Sequence, residues 1–109
     1  MEVKVLWTDT SLAQLQEIFN YYSLNASHSV AIKIVKRIVK KSILLESNPF
    51  IGVKEQMLDD RPFEYRFLVV TNYKIIYRFN DNVARIVAVF DCRQNPKKIG
   101  NLIEDNNKK

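Results

Sequence analysis

From Tyr65 to Asp91 apolar side chains recur at every second position, interrupted by Thr71-Asn72-Tyr73 and by Asn80-Asp81-Asn82. Alternate residues of a strand point to opposite faces, so the pattern predicts three strands, Tyr65-Val70, Lys74-Phe79 and Val83-Asp91, closed by Cys92-Arg93-Gln94-Asn95-Pro96. Two registers compete for the first hairpin. With Thr71-Asn72 as the loop, Lys74 and Arg78 share a face with Tyr65, Phe67 and Val69, and an unpaired buried charge is costly. With Thr71-Asn72-Tyr73 as the loop, Val69 faces Ile75, and one face collects Tyr65, Phe67, Val69, Ile75, Tyr77 and Phe79. The second register is the expectation. A two-residue Asp81-Asn82 loop then extends that face with Ala84, Ile86, Ala88 and Phe90. The opposite face carries Arg66, Leu68, Val70, Lys74, Ile76, Arg78, Arg85, Val87, Val89 and Asp91, with Arg93 just beyond on the same parity. An uncovered face with an apolar middle and a cationic border is expected to be the working surface, for a charged ligand or a partner segment.

The chain before this meander reads as packing for its apolar face. Val3, Val5 and Trp7 alternate against Glu2, Lys4 and Leu6 in a first strand. Thr8 and Asp9 supply a cap and a negative charge for a helix reaching about Asn25, with Leu12, Leu15, Ile18, Phe19 and Tyr22 as its core stripe. Ser27 caps a second helix reaching about Ser47, apolar at Ala31, Ile34, Val35, Ile38, Val39, Ser42 and Leu45 and widened by Ile32 and Ile43. Its remaining arc holds Lys33, Lys36, Arg37, Lys40 and Lys41, a secondary basic face that is either simply solvated or an attachment site for phosphates or an acidic partner. Asn48-Pro49 ends the helix, residues 50–61 form a loop or short irregular strand turning at Gly52, and the tail from Lys97 to Lys109 either folds back as a short helix or orders on binding. The expected architecture is α+β in two layers: strand, two-helix hairpin, three-stranded antiparallel meander and a short C-terminal segment. The first strand joins at an edge or beside the last strand.

Composition bounds what this domain does. Its 109 residues, 47% of them hydrophobic, make one domain spanning residues 1–109 that needs no disulfide or metal to close its core. No apolar run approaches the roughly 20 residues of a membrane span, and Met1-Glu2-Val3-Lys4 enters a strand pattern directly, so the expectation is a cytoplasmic protein with no membrane partner. The single cysteine, Cys92, fits a reducing compartment and on the parity above is expected beside Phe90 on the core side. The formal net charge of +5 suits an anionic partner. One histidine, His28, in the break between the helices, and no Cys-x-x-Cys or His-x-x-x-His spacing give no metal site, and glycine at only 52 and 100 gives no phosphate-cradling loop, so no cofactor is expected.

Several stretches together carry a resemblance: Trp7-Thr8, Asn48-Pro49-Phe50-Ile51-Gly52, Tyr65-Arg66-Phe67-Leu68-Val69-Val70, Asn72-Tyr73-Lys74-Ile75-Ile76-Tyr77-Arg78 and Val89-Phe90-Asp91-Cys92-Arg93-Gln94-Asn95-Pro96. Nearly the whole chain is similar to the RelE/ParE superfamily of bacterial type II toxins. The resemblance implies growth inhibition, a role in plasmid stabilization, and a cognate antitoxin that wraps the toxin in a hetero-oligomer.

The resemblance also implies two kinds of target. A ParE-like member inhibits DNA gyrase by protein contact, without catalysis, through target- or antitoxin-binding residues expected at Arg66, Leu68, Lys74, Ile76, Arg78, Arg85, Asp91 and Arg93. A RelE-like member cuts messenger RNA on the ribosome without a metal, with Arg66, Lys74 and Arg93 at the matching catalytic positions, where cations stabilise the charge of a pentavalent phosphate. Here Leu68 stands at a second basic position and Asn95-Pro96 follows Arg93 in place of a C-terminal tyrosine or histidine, which favours the ParE-like branch. Whether the chain is an enzyme depends on the branch. A third reading is a non-toxic basic RNA-binding module, for which outward aromatics on the sheet are the missing mark.

Overall fold

The computed structural model describes residues 2–103. Its strands are β1 (Lys4–Trp7), β2 (Val53–Lys54), β3 (Tyr65–Val70), β4 (Tyr73–Asn80) and β5 (Val83–Asp91), and its helices α1 (Asp9–Asn25), α2 (His28–Ser42) and the one-turn α3 (Ile99–Leu102). They form one five-stranded sheet in the order β1-β5-β4-β3-β2, with β1 parallel to β5 and the other neighbours antiparallel. The first strand is therefore both an edge strand and the neighbour of the last.

Local chemistry sets the helix ends. The Thr8 hydroxyl accepts from the Ser11 amide at 3.2 Å, and the Ser27 hydroxyl accepts from the Val30 amide at 3.1 Å, so both helices begin on a side-chain cap. Lys40 and Lys41 lie in the last turn of α2, which tightens into a 3-10 turn at Ile43–Glu46. Both long helices cover one sheet face, where Ile18, Ile38 and Leu45 pack on Leu68, Val70, Tyr73, Ile75, Tyr77, Ala84, Ile86 and Val89. Leu12, expected in the core stripe, is 48% exposed, while Ser11 is fully buried. Ser11, its hydroxyl bonded back to the Thr8 carbonyl at 2.9 Å, takes the first place in the stripe, while Leu15, Ile18 and Tyr22 pack on the core as expected.

The expected register of the first hairpin is overturned. Val70 faces Tyr73, Val69 faces Lys74, Leu68 faces Ile75 and Phe67 faces Ile76, so the loop is Thr71-Asn72. Thr71 takes φ 52°, the positive value a tight two-residue hairpin needs at its first central residue. The objection to this register was charge burial, and the structure answers it: Lys74 reaches Glu55, and both Lys74 and Arg78 lie over aromatic rings. The second hairpin has the expected Asp81-Asn82 loop, with φ 54° and 63°.

A bulge completes the rearrangement of faces. On β4, Ile76 faces Ala88 but Tyr77 faces Ile86, which leaves Val87 as an extra residue on β5. Parity flips there, so Ala88 and Phe90 leave the helix face and Val89 joins it. The face away from the long helices is thus not an open apolar and basic strip. Its centre is a second core in which Tyr65, Ile76, Ala88 and Phe90 are covered by Leu58, Ile99 and Ile103. Arg61 fixes this cover by donating to the carbonyls of Gly100 and Ile103, so the start of the tail folds back, and residues 104–109 of the predicted tail lie outside the described residues.

Candidate functional site

The two-residue register separates the cations that the sequence reading gathers on one surface. Arg66 has helix-side parity and sits at the β2 edge, where its Nη1 donates to the Gly52 carbonyl at 2.8 Å and its guanidinium lies over the Phe50 ring at 5.4 Å. That side chain anchors the loop from Phe50 to Gly52. Lys74 points from the opposite face: Nζ lies 2.8 Å from Glu55 Oε1 and 4.1 Å from the centre of the Phe67 ring. The Glu55 side chain is only 3% exposed, and its other oxygen accepts from the Met57 amide at 3.0 Å. Leu68 and Ile76, expected on one binding face, are core residues on opposite faces, 6% and 0% exposed. Arg78 and Arg85 do remain together, facing one another across β4 and β5 on the side away from the long helices.

Arg93 belongs to a different place. Its Nε and Nη2 engage Asp91 Oδ1 and Oδ2 at 3.0 and 2.7 Å, and its own amide donates to Oδ1 at 3.0 Å. These bonds to the ionised form hold the Asp91 carboxyl below the usual carboxylate range and push the Arg93 guanidinium further up. The pair lies at one wall of a cleft of about 490 Å³ between α1 and the segment after β5, lined also by Gln14, Glu17, Tyr21, Tyr73, Gln94 and Lys98. The cleft exists because β1 ends at Trp7 opposite Ile86, leaving the rest of the β5 edge unpaired by a strand. Gln14 Oε1 takes the Val89 amide at 2.7 Å in its stead. Tyr73 and Tyr22 meet hydroxyl to hydroxyl at 3.4 Å, and burial pushes the Tyr73 phenol upward, keeping it neutral. Polar and charged side chains, Gln14, Glu17, Asp91, Arg93, Gln94 and Lys98, line the cleft beside Tyr21 and Tyr73.

The sequence reading missed Gln14, Tyr73 and Lys98 as cleft residues. Tyr73 falls in the loop of the expected register, and the fold-back of the tail has no signal beyond Ile99, Leu102 and Ile103. The expectation for Cys92 is also corrected: the thiol is exposed after the bulge, although partial desolvation pushes its pKa upward. Phe90, unlike Cys92, points into the second core. His28 opens α2, its ring 5.4 Å from Phe19 in an edge-to-face contact. Lys33, Lys36, Arg37 and Lys40 are exposed along α2, as expected of a basic face. Among the described residues, no cluster of three or more His, Cys, Asp or Glu is placed to hold a metal ion, and no helix is long and apolar enough to cross a membrane.

The family model described as the ParE toxin of the type II toxin-antitoxin system, parDE, matches residues 5–96. The chain belongs to the ParE toxin family. A solved structure described as the chromosomal ParDE TA system from P. aeruginosa has the same fold, with a TM-score of 0.70 at 20% identity over 82% of this chain and 95% of that one. No curated protein matched the chain. The ParE match runs from β1 to Pro96, just before the tail, so it includes Arg66, Lys74, Arg78, Arg85, Asp91 and Arg93, while Lys98 and the whole of α3 lie beyond it. Membership in the ParE family assigns the toxin class and the α+β fold together.

Proposed function

We propose that this ParE-family chain halts growth by binding DNA gyrase through protein contact, without catalysis of its own, and that a cognate antitoxin neutralises it in a hetero-oligomer. The observation that carries the non-catalytic reading is the separation of Arg66, Lys74 and Arg93. Stabilising a pentavalent phosphate requires cations aimed at one point. Here Arg66 is engaged by the backbone of the Phe50–Gly52 loop, Lys74 by Glu55 on the other face, and Arg93 by Asp91 at the cleft. The messenger-RNA endonuclease reading therefore lacks a point of convergence, and the cleft offers a binding surface in its place. Arg93, 60% exposed, is the residue proposed to meet the target. Induced expression tests this directly. Intact messenger RNA by primer extension, with cell filamentation and loss of gyrase supercoiling, supports it; codon-positioned cuts in messenger RNA restore the endonuclease reading.

A further inference from the structure

Arg78 and Arg85 are direct cross-strand neighbours on the face away from α1 and α2. Like charges so placed repel, an unfavourable arrangement unless an anion lies between them. Arg78 is held for that role: its guanidinium stacks 3.9 Å from the centre of the Phe63 ring, and Nη1 donates to Asn80 Oδ1 at 2.8 Å, which fixes the plane and leaves other N–H groups unspent. Leu6 lies opposite Arg85 and Lys4 opposite Val83, so Lys4 sits diagonally from Arg85 on the same face. Among the described residues, neither the Arg85 guanidinium nor the Lys4 ammonium has a hydrogen-bonding or ionic partner. The nearby hairpin carboxylate, Asp81, accepts from Asn80 at 3.3 Å.

Building on the gyrase reading, we infer that Lys4, Arg78 and Arg85 form a contact for the phosphate backbone of duplex DNA, engaged when the toxin meets gyrase on its substrate. Charge complementarity favours phosphate over a protein segment. Lys4, Arg78 and Arg85 share one sheet face around the exposed Leu6 and the Phe63 ring, with the two arginines side by side across β4 and β5. Guanidinium forks match phosphate oxygens bidentately, which is a reason for two arginines. The patch is on a different face from the Lys33–Lys40 stripe of α2, so the two are separable by substitution.

The test uses the full chain and a short fluorescent DNA duplex, with affinity followed against salt concentration. Each phosphate contact contributes roughly 0.9 to the slope of log K against log salt. Arg78→Gln with Arg85→Gln is expected to flatten the slope by about two units, while Lys36→Gln with Lys40→Gln leaves it unchanged, both variants keeping the circular dichroism of the parent. An unchanged slope in the arginine variant, a slope lost instead in the α2 variant, or preferential binding of poly-glutamate over DNA at equal charge overturns the proposal. Gyrase supercoiling is assayed in parallel. If the toxin leaves gyrase untouched while the arginine-dependent slope persists, the gyrase reading fails and the DNA contact stands.

Discussion

The Tyr77 hydroxyl joins two ends of one loop: it accepts from the Gly52 amide at 3.0 Å and donates to the Pro49 carbonyl at 2.7 Å. Tyr77 is fully buried, and the Arg66 guanidinium closes the same loop from the Gly52 carbonyl. A Cβ on Gly52 would come within 2.6 Å of the Tyr77 hydroxyl and 2.8 Å of the Phe67 carbonyl oxygen, the second of which is backbone and cannot yield. The requirement at Gly52 is therefore space. Gly52→Ala is expected to cost about 1–3 kcal/mol by overpacking, and Tyr77→Phe about 1–3 kcal/mol by leaving buried backbone groups unpaired. Urea unfolding measures both, and a Gly52→Ala variant as stable as the parent would show that the loop can move off Tyr77.

Lys74 and Glu55 give a second prediction. The carboxylate is buried and the ammonium 19% exposed, so removing Lys74 strands a charge, while removing both groups does not. Lys74→Met is expected to destabilise by about 3–5 kcal/mol, as for other broken buried pairs, and Lys74→Met with Glu55→Leu to recover much of that loss. The double-mutant cycle in urea reads the coupling. Additive losses would place the stabilising effect of Lys74 in its contact with the Phe67 ring instead.

These two interactions also explain what could be read from the sequence. Helix limits, the three long strands and the Asp81-Asn82 turn were legible because caps, period-two alternation and turn residues are local. The first hairpin was not, because its alternatives differ by tertiary contacts: Glu55 lies nineteen residues before Lys74, and no local pattern announces that it will neutralise it. The Val87 bulge contains no glycine to mark it, yet it decides on which side Ala88, Val89 and Phe90 lie. As a result the cationic residues were legible as a group, and their distribution over two faces and a cleft was not.

The pH dependence follows from Asp91 and Tyr73. Hydrogen bonds from Arg93 lower the Asp91 pKa in the fold, so its contribution is present above the unfolded value near 3.9 and disappears as pH falls through the folded value. Because Arg93 is largely exposed, solvent screens the pair and the expected effect is small. Burial raises the Tyr73 phenol, so its neutral form favours the fold below the unfolded value of about 10, and stability drops as the pH rises beyond it. Asp91→Asn should remove part of the acid-side loss, and Tyr73→Phe part of the alkaline loss, in urea titrations across pH. Profiles identical to the parent would place the titrating groups elsewhere.

Arg61 tests whether the fold-back of the tail stands on a single side chain. Its guanidinium donates to the carbonyls of Gly100 and Ile103, so it holds both ends of α3 over Ile76 and Phe90. Charged hydrogen bonds of this kind contribute about 1.5–3 kcal/mol each. Arg61→Ala is expected to speed amide exchange in residues 99–103 well beyond any change in the β4 amides, because α3 opens locally while the sheet keeps the α1 and α2 cover. Uniform acceleration across both segments would mean that the tail and sheet unfold as one unit.

The remaining prediction concerns the cleft. Arg93 is exposed at the cleft wall, where solvent screens its ion pair with Asp91, so its loss is expected to cost the fold little. If Arg93 meets the target there, Arg93→Ala abolishes growth arrest on induction while the purified protein keeps its melting curve. Arg93→Lys keeps the charge but loses the bidentate fork that engages Asp91, and should retain only part of the activity. Charge reversal at Lys36 and Lys40 on α2, away from the cleft, is expected to weaken arrest less than Arg93→Ala does. Full toxicity of Arg93→Ala would remove the cleft from the mechanism, and a larger loss from the α2 reversals would move target recognition to the helix face.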